Sequence, residues 1–312
     1  MAMDTAFLFP GQGAQYVGMG ADLYRESSVV RYLFQHADRH LGFELSRLCF
    51  EGPLEQLNAD LNSQLAVYTH SCALISLMGP ERLGAGVLTG YSSGFYAAAH
   101  AAGSFDYLTG LTIVQIAGNL LLEAAAANPG GMGVVFGLDA ETVHHICQST
   151  GNVQPAIFNT PRQILISGAE GAVTAALEQA LEQGALDAYR LPAAAAYHSE
   201  NMHPAARGLS AALAQMPMKA PRRPLFSYST LEPVPDGAAL ARVLANQLCS
   251  PVRWVELIGK LHAQGIKRVV EVGPGQILSR SVRWIERDLS ACPLAGAAAL
   301  AAYVNGPKRA GG

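Results

Sequence analysis

Gly90-Tyr91-Ser92-Ser93-Gly94 is the pentapeptide from which the fold of this chain can be worked out. The apolar run Ala85 to Thr89 before it predicts a buried strand, and the Ala-rich, proline-free run Phe95 to Ala102 after it predicts a helix. G-x-S-x-G between a strand and a helix is typical of a nucleophile elbow, because glycines on both sides let the two elements cross closely. We therefore predict that Ser92 is a nucleophile. The N–H of Ser93, at the helix N-terminus, is predicted to stabilise an oxyanion. The alternative is an ordinary Gly/Ser turn between two buried elements.

Composition and charge set limits on the class of protein. The chain has 312 residues, of which 50% are hydrophobic and 14% charged, and this predicts a well-buried globular protein of about two domains. The net charge of -3 favours neither nucleic acid nor a membrane surface as a partner. The five cysteines are scattered and form no C-x-x-C motif, and no metal motif is present. We expect reduced thiols, a cytoplasmic protein and no bound metal.

Buried strands alternate with helices over most of the chain. Strands are predicted at Thr5 to Phe9, Leu225 to Tyr228 and Arg268 to Val272, and long apolar helices at Gln64 to Met78 and Phe105 to Ala127. Such alternation predicts an α/β fold with a mostly parallel sheet covered by helices on both sides.

A different order of elements interrupts this pattern after the second long helix. Asp139 and Ala169 each open a helix, and four strands surround these helices in the order β-α-β-β-α-β: Met132 to Leu138, Val153 to Phe158, Gln163 to Ser167 and Asp187 to Leu191. This order predicts a small ferredoxin-like domain. We therefore predict a hydrolase-like large domain formed by residues 1–130 and 194–312, with the small domain at residues 131–193 inserted into it.

Five motifs, in order and spacing, resemble those of the malonyl-CoA:acyl-carrier-protein transacylases. They are the pentapeptide around Ser92 together with Phe9-Pro10-Gly11-Gln12-Gly13-Ala14-Gln15, Tyr197-His198-Ser199-Glu200-Asn201-Met202, Gln247-Leu248-Cys249-Ser250-Pro251-Val252-Arg253-Trp254 and Glu271-Val272-Gly273-Pro274-Gly275. The resemblance covers nearly the whole chain. It implies acyl transfer between coenzyme A and the phosphopantetheine arm of an acyl carrier protein through an acyl-serine. No cofactor is implied, since both thioesters are substrates.

The resemblance also implies roles for individual residues. A serine needs an adjacent base to act as a nucleophile, and His198 matches the family's base; the alternative is a histidine of the surface or core. The backbone carbonyl of Gln247 is implied to orient His198. The backbone N–H groups of Ser93 and Gln12 are implied to form the oxyanion hole.

Three further positions are implied to face the substrate. Gly11 would let the backbone at Gln12 approach the substrate closely, although an ordinary turn after the first strand is the alternative. Asn159 matches an asparagine of the small domain that faces the cleft. The residue before the nucleophile is usually histidine in the family and is Tyr91 here. We expect this change to alter packing without loss of activity.

One departure from the family bears on the substrate. The family's arginine, which clamps the free carboxylate of malonate, falls on Ala117, and no Arg or Lys lies between Phe95 and Asn128. Burying a carboxylate without such a partner costs about 3–5 kcal/mol. The stretch Ala194-Ala195-Ala196-Tyr197 is small and apolar, which suits an uncharged acyl chain. The sequence therefore predicts acyl groups that lack a free carboxylate.

The leading hypothesis is a Ser-His acyltransferase that acts on acyl-CoA and an acyl carrier protein, with no nucleic acid or membrane partner. A thioester hydrolase that clears acyl groups from a carrier protein would use the same Ser92 and His198, with water as acceptor. A non-catalytic acyl-binding subunit is a third hypothesis, which the presence of both side chains disfavours. The sequence leaves open the acyl group, the choice between thiol and water, and the pathway.

Overall fold

A computed structural model describes residues 4–84, 86–193 and 195–306 of the chain. Ala85, at the start of the predicted elbow strand, and Ala194, in the predicted apolar stretch, lie outside the described residues. The strands are β1 (Thr5–Phe9), β2 (Val87–Gly90), β3 (Gly130–Phe136), β4 (Val153–Thr160), β5 (Gln163–Ala169), β6 (Asp187–Leu191), β7 (Arg268–Val272) and β8 (Ser290–Leu294).

Helices account for most of the remaining chain. They are α1 (Ala21–Glu26), α2 (Ser28–Leu41), α3 (Leu45–Glu51), α4 (Leu54–Leu57), α5 (Asp60–Met78), α6 (Pro80–Leu83), α7 (Gly94–Ala101), α8 (Tyr107–Ala127), α9 (Ala140–Thr150), α10 (Glu170–Glu182), α11 (His203–Leu213), α12 (Gly237–Asn246), α13 (Trp254–Ala263), α14 (Ile277–Ile285) and α15 (Ala297–Asn305). A short 3₁₀ helix, Glu200–Met202, precedes α11.

The larger sheet is parallel and has the strand order β2-β1-β7-β8. Its two central strands are buried almost throughout, and this explains why Thr5–Phe9 and Arg268–Val272 read as continuous apolar runs. Connections between parallel strands must cross over the sheet, so the intervening helices cover it. The fold is therefore α/β, as predicted.

The prediction of a strand at Leu225 to Tyr228 is wrong, because this segment makes only isolated bridges to the described part of the chain. Leu225 makes one parallel bridge to Leu88 beside β2, and Phe226 makes one antiparallel bridge to Pro233. Two backbone hydrogen bonds, from Leu88 N to Pro224 O at 2.8 Å and from Phe226 N to Leu88 O at 2.9 Å, hold this segment. The chain then turns, with the Leu231 N–H donating to the Ser227 carbonyl at 2.9 Å, so the ladder ends before a strand can form.

The smaller sheet is antiparallel, with the strand order β4-β5-β3-β6, and α9 and α10 pack on it. This is the predicted ferredoxin-like arrangement, and its strands run from Gly130 to Leu191. Successive residues of a strand face opposite sides. Accordingly Ile164 packs in a core formed with α9 and α10, whereas Leu165 belongs to the main core of the molecule. One face of the small sheet is thereby left to line the cleft.

The helices α5 and α8 pack closely where glycines remove side-chain volume. A Cβ atom at Gly110 would lie 1.9 Å from the Tyr68 hydroxyl, and one at Gly118 would lie 2.5 Å from Leu61 Cδ1. Among the described residues, α8 is the one helix long and apolar enough to cross a membrane, and 44% of its most apolar window is buried inside the protein. Core helices often meet the same criterion. Here this contact brings the start of α5 next to the middle of α8.

Candidate active site

The predicted elbow forms between β2 and α7. Ser92 has φ 51°, a left-handed conformation that is strained for a side-chain-bearing residue and lifts the hydroxyl out of the turn. A Cβ atom at Gly90 would lie 2.3 Å from the Gly94 carbonyl carbon, and one at Gly94 would lie 2.1 Å from the Phe9 carbonyl oxygen. Gly90 is therefore required by the predicted crossing of β2 and α7, whereas Gly94 is required by the packing of α7 against the end of β1.

His198 lies next to Ser92, and its backbone is also in the left-handed conformation, at φ 59°. Its Nδ1 lies 3.0 Å from both the Gln247 and the Ser250 carbonyl oxygens, which can only accept, so Nδ1 carries the proton. The other ring nitrogen, Nε2, is then free to accept from Ser92 Oγ at 2.8 Å. This is the geometry of a serine and its general base.

The environment of His198 keeps the imidazole neutral. Burial lowers its pKa to about 4, and the hydrogen bonds that Nδ1–H donates to the Ser250 and Gln247 carbonyls act in the opposite direction, to raise it. The Tyr228 ring packs edge-on against the imidazole at 6.2 Å, and its hydroxyl donates to Gln247 Oε1 at 3.1 Å. The side chain of Gln247 is thus fixed as well as its carbonyl, and the base is unprotonated at neutral pH.

The loop after β1 brings Gln12 to the elbow. The Gln12 N–H donates to Ser93 Oγ at 3.1 Å, so the two predicted oxyanion donors belong to adjacent residues in space. A Cβ atom at Gly11 would lie 2.5 Å from the Tyr91 carbonyl oxygen, so the absence of a side chain lets this loop pack against the elbow. The approach of the Gln12 backbone to a substrate stays a prediction. The Gln12 side chain is held at both ends: its Nε2 donates to Asp60 Oδ1, and its Oε1 accepts from Gln64 Nε2 at 3.3 Å.

A cavity of about 270 Å³ opens at Ser92 between the two sheets. The predicted residues that line it are Gln12, Tyr91, Ser92, Ser93, Tyr197, His198 and Gln247. Apolar residues, several from the small domain, complete the wall, among them Leu121, Met132, Ile157, Leu165 and Leu191. No Lys, Arg, Asp or Glu is among the described residues of this wall. The described ranges also contain no group of three or more His, Cys, Asp and Glu residues that could bind a metal ion.

Tyr91 connects the elbow to the small domain. Its hydroxyl donates to Asn159 Oδ1 on β4, and its ring packs edge-on against Trp254 at 5.4 Å. Burial raises the pKa of the Tyr91 hydroxyl, so it stays protonated and can donate. Asn159 therefore reaches the site through Tyr91, which itself lines the cavity.

Ala117 is fully buried on α8 and does not form part of the cavity wall. Leu121, one helical turn further on, does line it. The sequence identified the helix that contributes to the acyl pocket but gave no signal for its rotation. That an arginine of the family has been replaced at Ala117 stays a prediction.

Several residues at the site were missed by the sequence analysis. The Ser250 carbonyl shares the proton of His198 Nδ1, although Ser250 lies within one of the quoted motifs. Asp60 and Gln64 open a helix whose apolar composition predicted only burial. Their one signal was polarity near the start of an otherwise apolar helix.

Comparisons with known proteins show the family to which this chain is similar. A family model described as acyl transferase domain matches residues 6–298. A malonyl CoA-acyl carrier protein transacylase of Bacillus subtilis is 38% identical over 288 residues, covering 91% of each chain. The crystal structure of an acyl carrier protein S-malonyltransferase from Vibrio cholerae superimposes with a TM-score of 0.91 at 34% identity, covering 96% of this chain and 99% of the other.

A third comparison concerns a complex. The structure of a malonyl-transacylase bound to a type II polyketide synthase acyl carrier protein matches with a TM-score of 0.91 at 32% identity. It covers 96% of this chain and 99% of the matched chain. The likeness thus extends over the elbow, the base and the inserted small domain together.

Proposed function

The chain belongs to the acyltransferase family of the malonyl-CoA:acyl-carrier-protein transacylases and is an acyltransferase, and from this premise we propose that it moves acyl groups from coenzyme A to an acyl carrier protein through an acyl-serine at Ser92. The hydrogen bond of 2.8 Å from Ser92 Oγ to His198 Nε2 is the observation that carries this proposal. The relative seen in complex with its acyl carrier protein supports the choice of acceptor.

In the first half-reaction Ser92 Oγ attacks the thioester carbonyl of acyl-CoA. His198 Nε2 takes the hydroxyl proton, and the N–H groups of Ser93 and Gln12 stabilise the oxyanion that forms on the former carbonyl oxygen. The carbon–sulfur bond then breaks, and His198 returns the proton to the leaving thiolate. Coenzyme A departs as a free thiol, and the acyl group remains as an ester on Ser92.

In the second half-reaction the phosphopantetheine thiol of the carrier protein attacks the same carbonyl carbon. His198 removes the thiol proton and later donates it to Ser92 Oγ as the ester bond breaks. The imidazole returns to its starting tautomer because the Gln247 and Ser250 carbonyls hold the Nδ1 proton throughout. One base therefore serves both halves of the reaction.

The preferred acyl groups are proposed to lack a free carboxylate. A buried carboxylate needs a cation or several donors, and the described cavity wall contains no Lys or Arg. The apolar residues of that wall, such as Met132 and Leu165, instead offer dispersion contacts to a hydrocarbon chain. Malonyl, the acyl group named for the relatives, would lose hydration here without gaining an ionic partner.

The test compares malonyl-CoA with 3-methylbutyryl-CoA, whose two methyl groups replace the two carboxylate oxygens at nearly equal size. Acylation of the protein is followed by intact mass. We expect the uncharged group to react at least about tenfold faster, since a lost charge-assisted pair is worth several kcal/mol. A tenfold preference for malonyl would contradict the acyl preference. Release of free acid faster than transfer to a carrier protein would favour hydrolysis instead.

The variant Leu121→Arg tests whether a cation on the cavity wall admits a carboxylate, because Leu121 lines the cavity whereas Ala117 does not. We expect the malonyl rate to rise and the 3-methylbutyryl rate to fall, because the guanidinium would pair with a carboxylate but not with a methyl group. Leu121→Met, which is uncharged, is the control. If both variants change the two rates in parallel, the effect is one of packing, and the proposed link between the charge of the wall and the acyl preference is wrong.

A further inference from the structure

We propose that Asp60 is a specificity-determining and positioning residue for acyl transfer: its carboxylate anchors the Gln12 side chain and places a negative charge behind the cavity wall that rejects negatively charged acyl groups. This inference rests on the proposed function of the same site. The described cavity wall lacks a cation that would attract a carboxylate, and Asp60 in addition repels it. Discrimination between acyl groups is strongest where both effects act.

The position of Asp60 is fixed by the fold. It is the first residue of α5 and only 9% exposed, next to the contact between Leu61 and Gly118 of α8. Its Oδ1 accepts a hydrogen bond from Gln12 Nε2. Removing this nearly buried carboxylate would leave the Gln12 amide N–H without its acceptor, which costs free energy. The contact therefore fixes the Gln12 side chain.

Two residues on which the Asp60 carboxylate acts, Gln12 and Tyr197, belong to the cavity wall. Gln12 lines the cavity and is held from its other end by Gln64, which also lines it. Tyr197 lines it as well, and its pKa is raised by burial and, after that, by the charge of Asp60. The carboxylate therefore lies one layer behind the surface that an acyl group touches.

The physical consequence differs between acyl groups. A carboxylate entering the cavity would meet the field of Asp60 through a dry protein layer, where the interaction of like charges is screened far less than in water. An uncharged acyl group would not sense that field. Both acyl groups would benefit equally from a fixed Gln12, whose backbone N–H faces the elbow. The charge and the anchoring of Asp60 can therefore be separated by experiment.

Asp60→Asn removes the charge but keeps an oxygen that accepts from Gln12 Nε2. We expect 3-methylbutyryl-CoA to acylate this variant within about threefold of the wild-type rate, and malonyl-CoA to gain about tenfold, as expected for one like-charge interaction across a layer of low dielectric. Asp60→Ala removes the acceptor too. It should slow acylation by both substrates, because Gln12 is no longer held.

Glu55→Gln is the control, since it makes the same change of net charge at an exposed position on α4. It should leave the ratio of malonyl to 3-methylbutyryl rates unchanged. An unchanged ratio in Asp60→Asn, with a folded protein by circular dichroism, would overturn the proposal. If wild type prefers malonyl, the proposed acyl preference fails, but the change of the ratio between wild type and Asp60→Asn still decides the role of Asp60.

Discussion

The cavity has two unlike walls. The polar wall, from the large domain, consists of Gln12, Ser92, Ser93, His198 and Gln247, and hydrogen bonds fix its groups. The acyl wall, mainly from the small domain, consists of Leu121, Met132, Ile157, Leu165 and Leu191 and is apolar throughout. Directional bonds are needed where charge develops in a reaction, whereas an acyl chain needs only shape and dispersion. We therefore expect the polar wall to control the rate and the acyl wall to control chain selectivity.

The backbone is strained in the polar wall and regular in the acyl wall. Ser92 and His198 both have positive φ, at 51° and 59°, although neither is glycine. Such strain persists only where the surroundings enforce it, and it is concentrated at functional sites. Met132 and Leu165 of the acyl wall instead lie in regular antiparallel strands, paired within one sheet. Substitutions in the acyl wall should therefore disturb the reaction less than substitutions in the polar wall.

The largest effect is expected for Ser92→Ala. The variant should form no acyl-enzyme with any acyl-CoA, because Ser92 carries the hydroxyl that is hydrogen-bonded to the base at His198 Nε2. Intact mass after incubation with 3-methylbutyryl-CoA is the measurement. Ser210→Ala, at an exposed position of α11, should acylate as wild type does. An acyl group attached to the Ser92→Ala protein would remove Ser92 from the polar wall's proposed role.

His198→Ala should slow acylation by about 10²–10⁴-fold, the usual contribution of a general base. The loss should be alike for short and long acyl groups, since the acyl wall is untouched. His203→Ala is the matched control, because this histidine lies five residues further on and is exposed at the start of α11. A wild-type rate in the first variant, or an equal loss in both, would contradict the assignment of the base.

Leu165→Ala should change selectivity more than rate. The cavity gains the volume of the lost side chain. The ratio of the acylation rates of octanoyl-CoA and butyryl-CoA should therefore rise by about tenfold, which is in the range known for discrimination by methylene groups. Ile164→Ala deletes the same amount of apolar volume one residue earlier, on the face that packs with α9 and α10. Both variants should be destabilised by about 2–5 kcal/mol, but only the first should change the ratio. An equal change in both would show that the small domain acts through stability alone.

The smallest effect is expected from pH. Because burial holds the pKa of His198 at about 4, acylation should change by less than about twofold between pH 8 and pH 6. A histidine of ordinary pKa would be only about a quarter neutral at pH 6. The measurement is kcat/KM for 3-methylbutyryl-CoA across this range. A fourfold decline of kcat/KM by pH 6 would show that burial in the polar wall does not lower the pKa of His198.

Below pH 6 the stability of the protein must be measured alongside the rate. His198 and His70 both have a pKa lowered by burial to about 4, whereas in the unfolded chain they bind protons at their usual value of 6.5. The unfolded state therefore takes up more protons between these values, and the free energy of unfolding falls as pH is lowered from 6.5 towards 4. Circular dichroism at each pH separates this loss from the titration of the base.

Local patterns predicted much of the fold and of the polar wall. The glycines around Ser92 signal the elbow because two backbones must cross there, and the alternation of strands and helices between Met132 and Leu191 specifies the small sheet. The base and one oxyanion donor came from motifs that resemble a family, since a lone histidine or a P-G-Q-G turn has no local physical signature. The elbow, the small sheet and the motifs are each encoded by residues that are contiguous in the sequence.

Tertiary structure decided the rest, because the relevant contacts join residues far apart in sequence. Asp60 reaches Gln12, and the Ser250 carbonyl reaches His198, only after α5 and the loop before α13 are packed. The rotation of α8, which turns Leu121 and not Ala117 to the cavity, depends on the contact with α5 at Gly110 and Gly118. Composition could indicate that these helices are buried, but their rotation is set by side-chain packing, which no local pattern encodes.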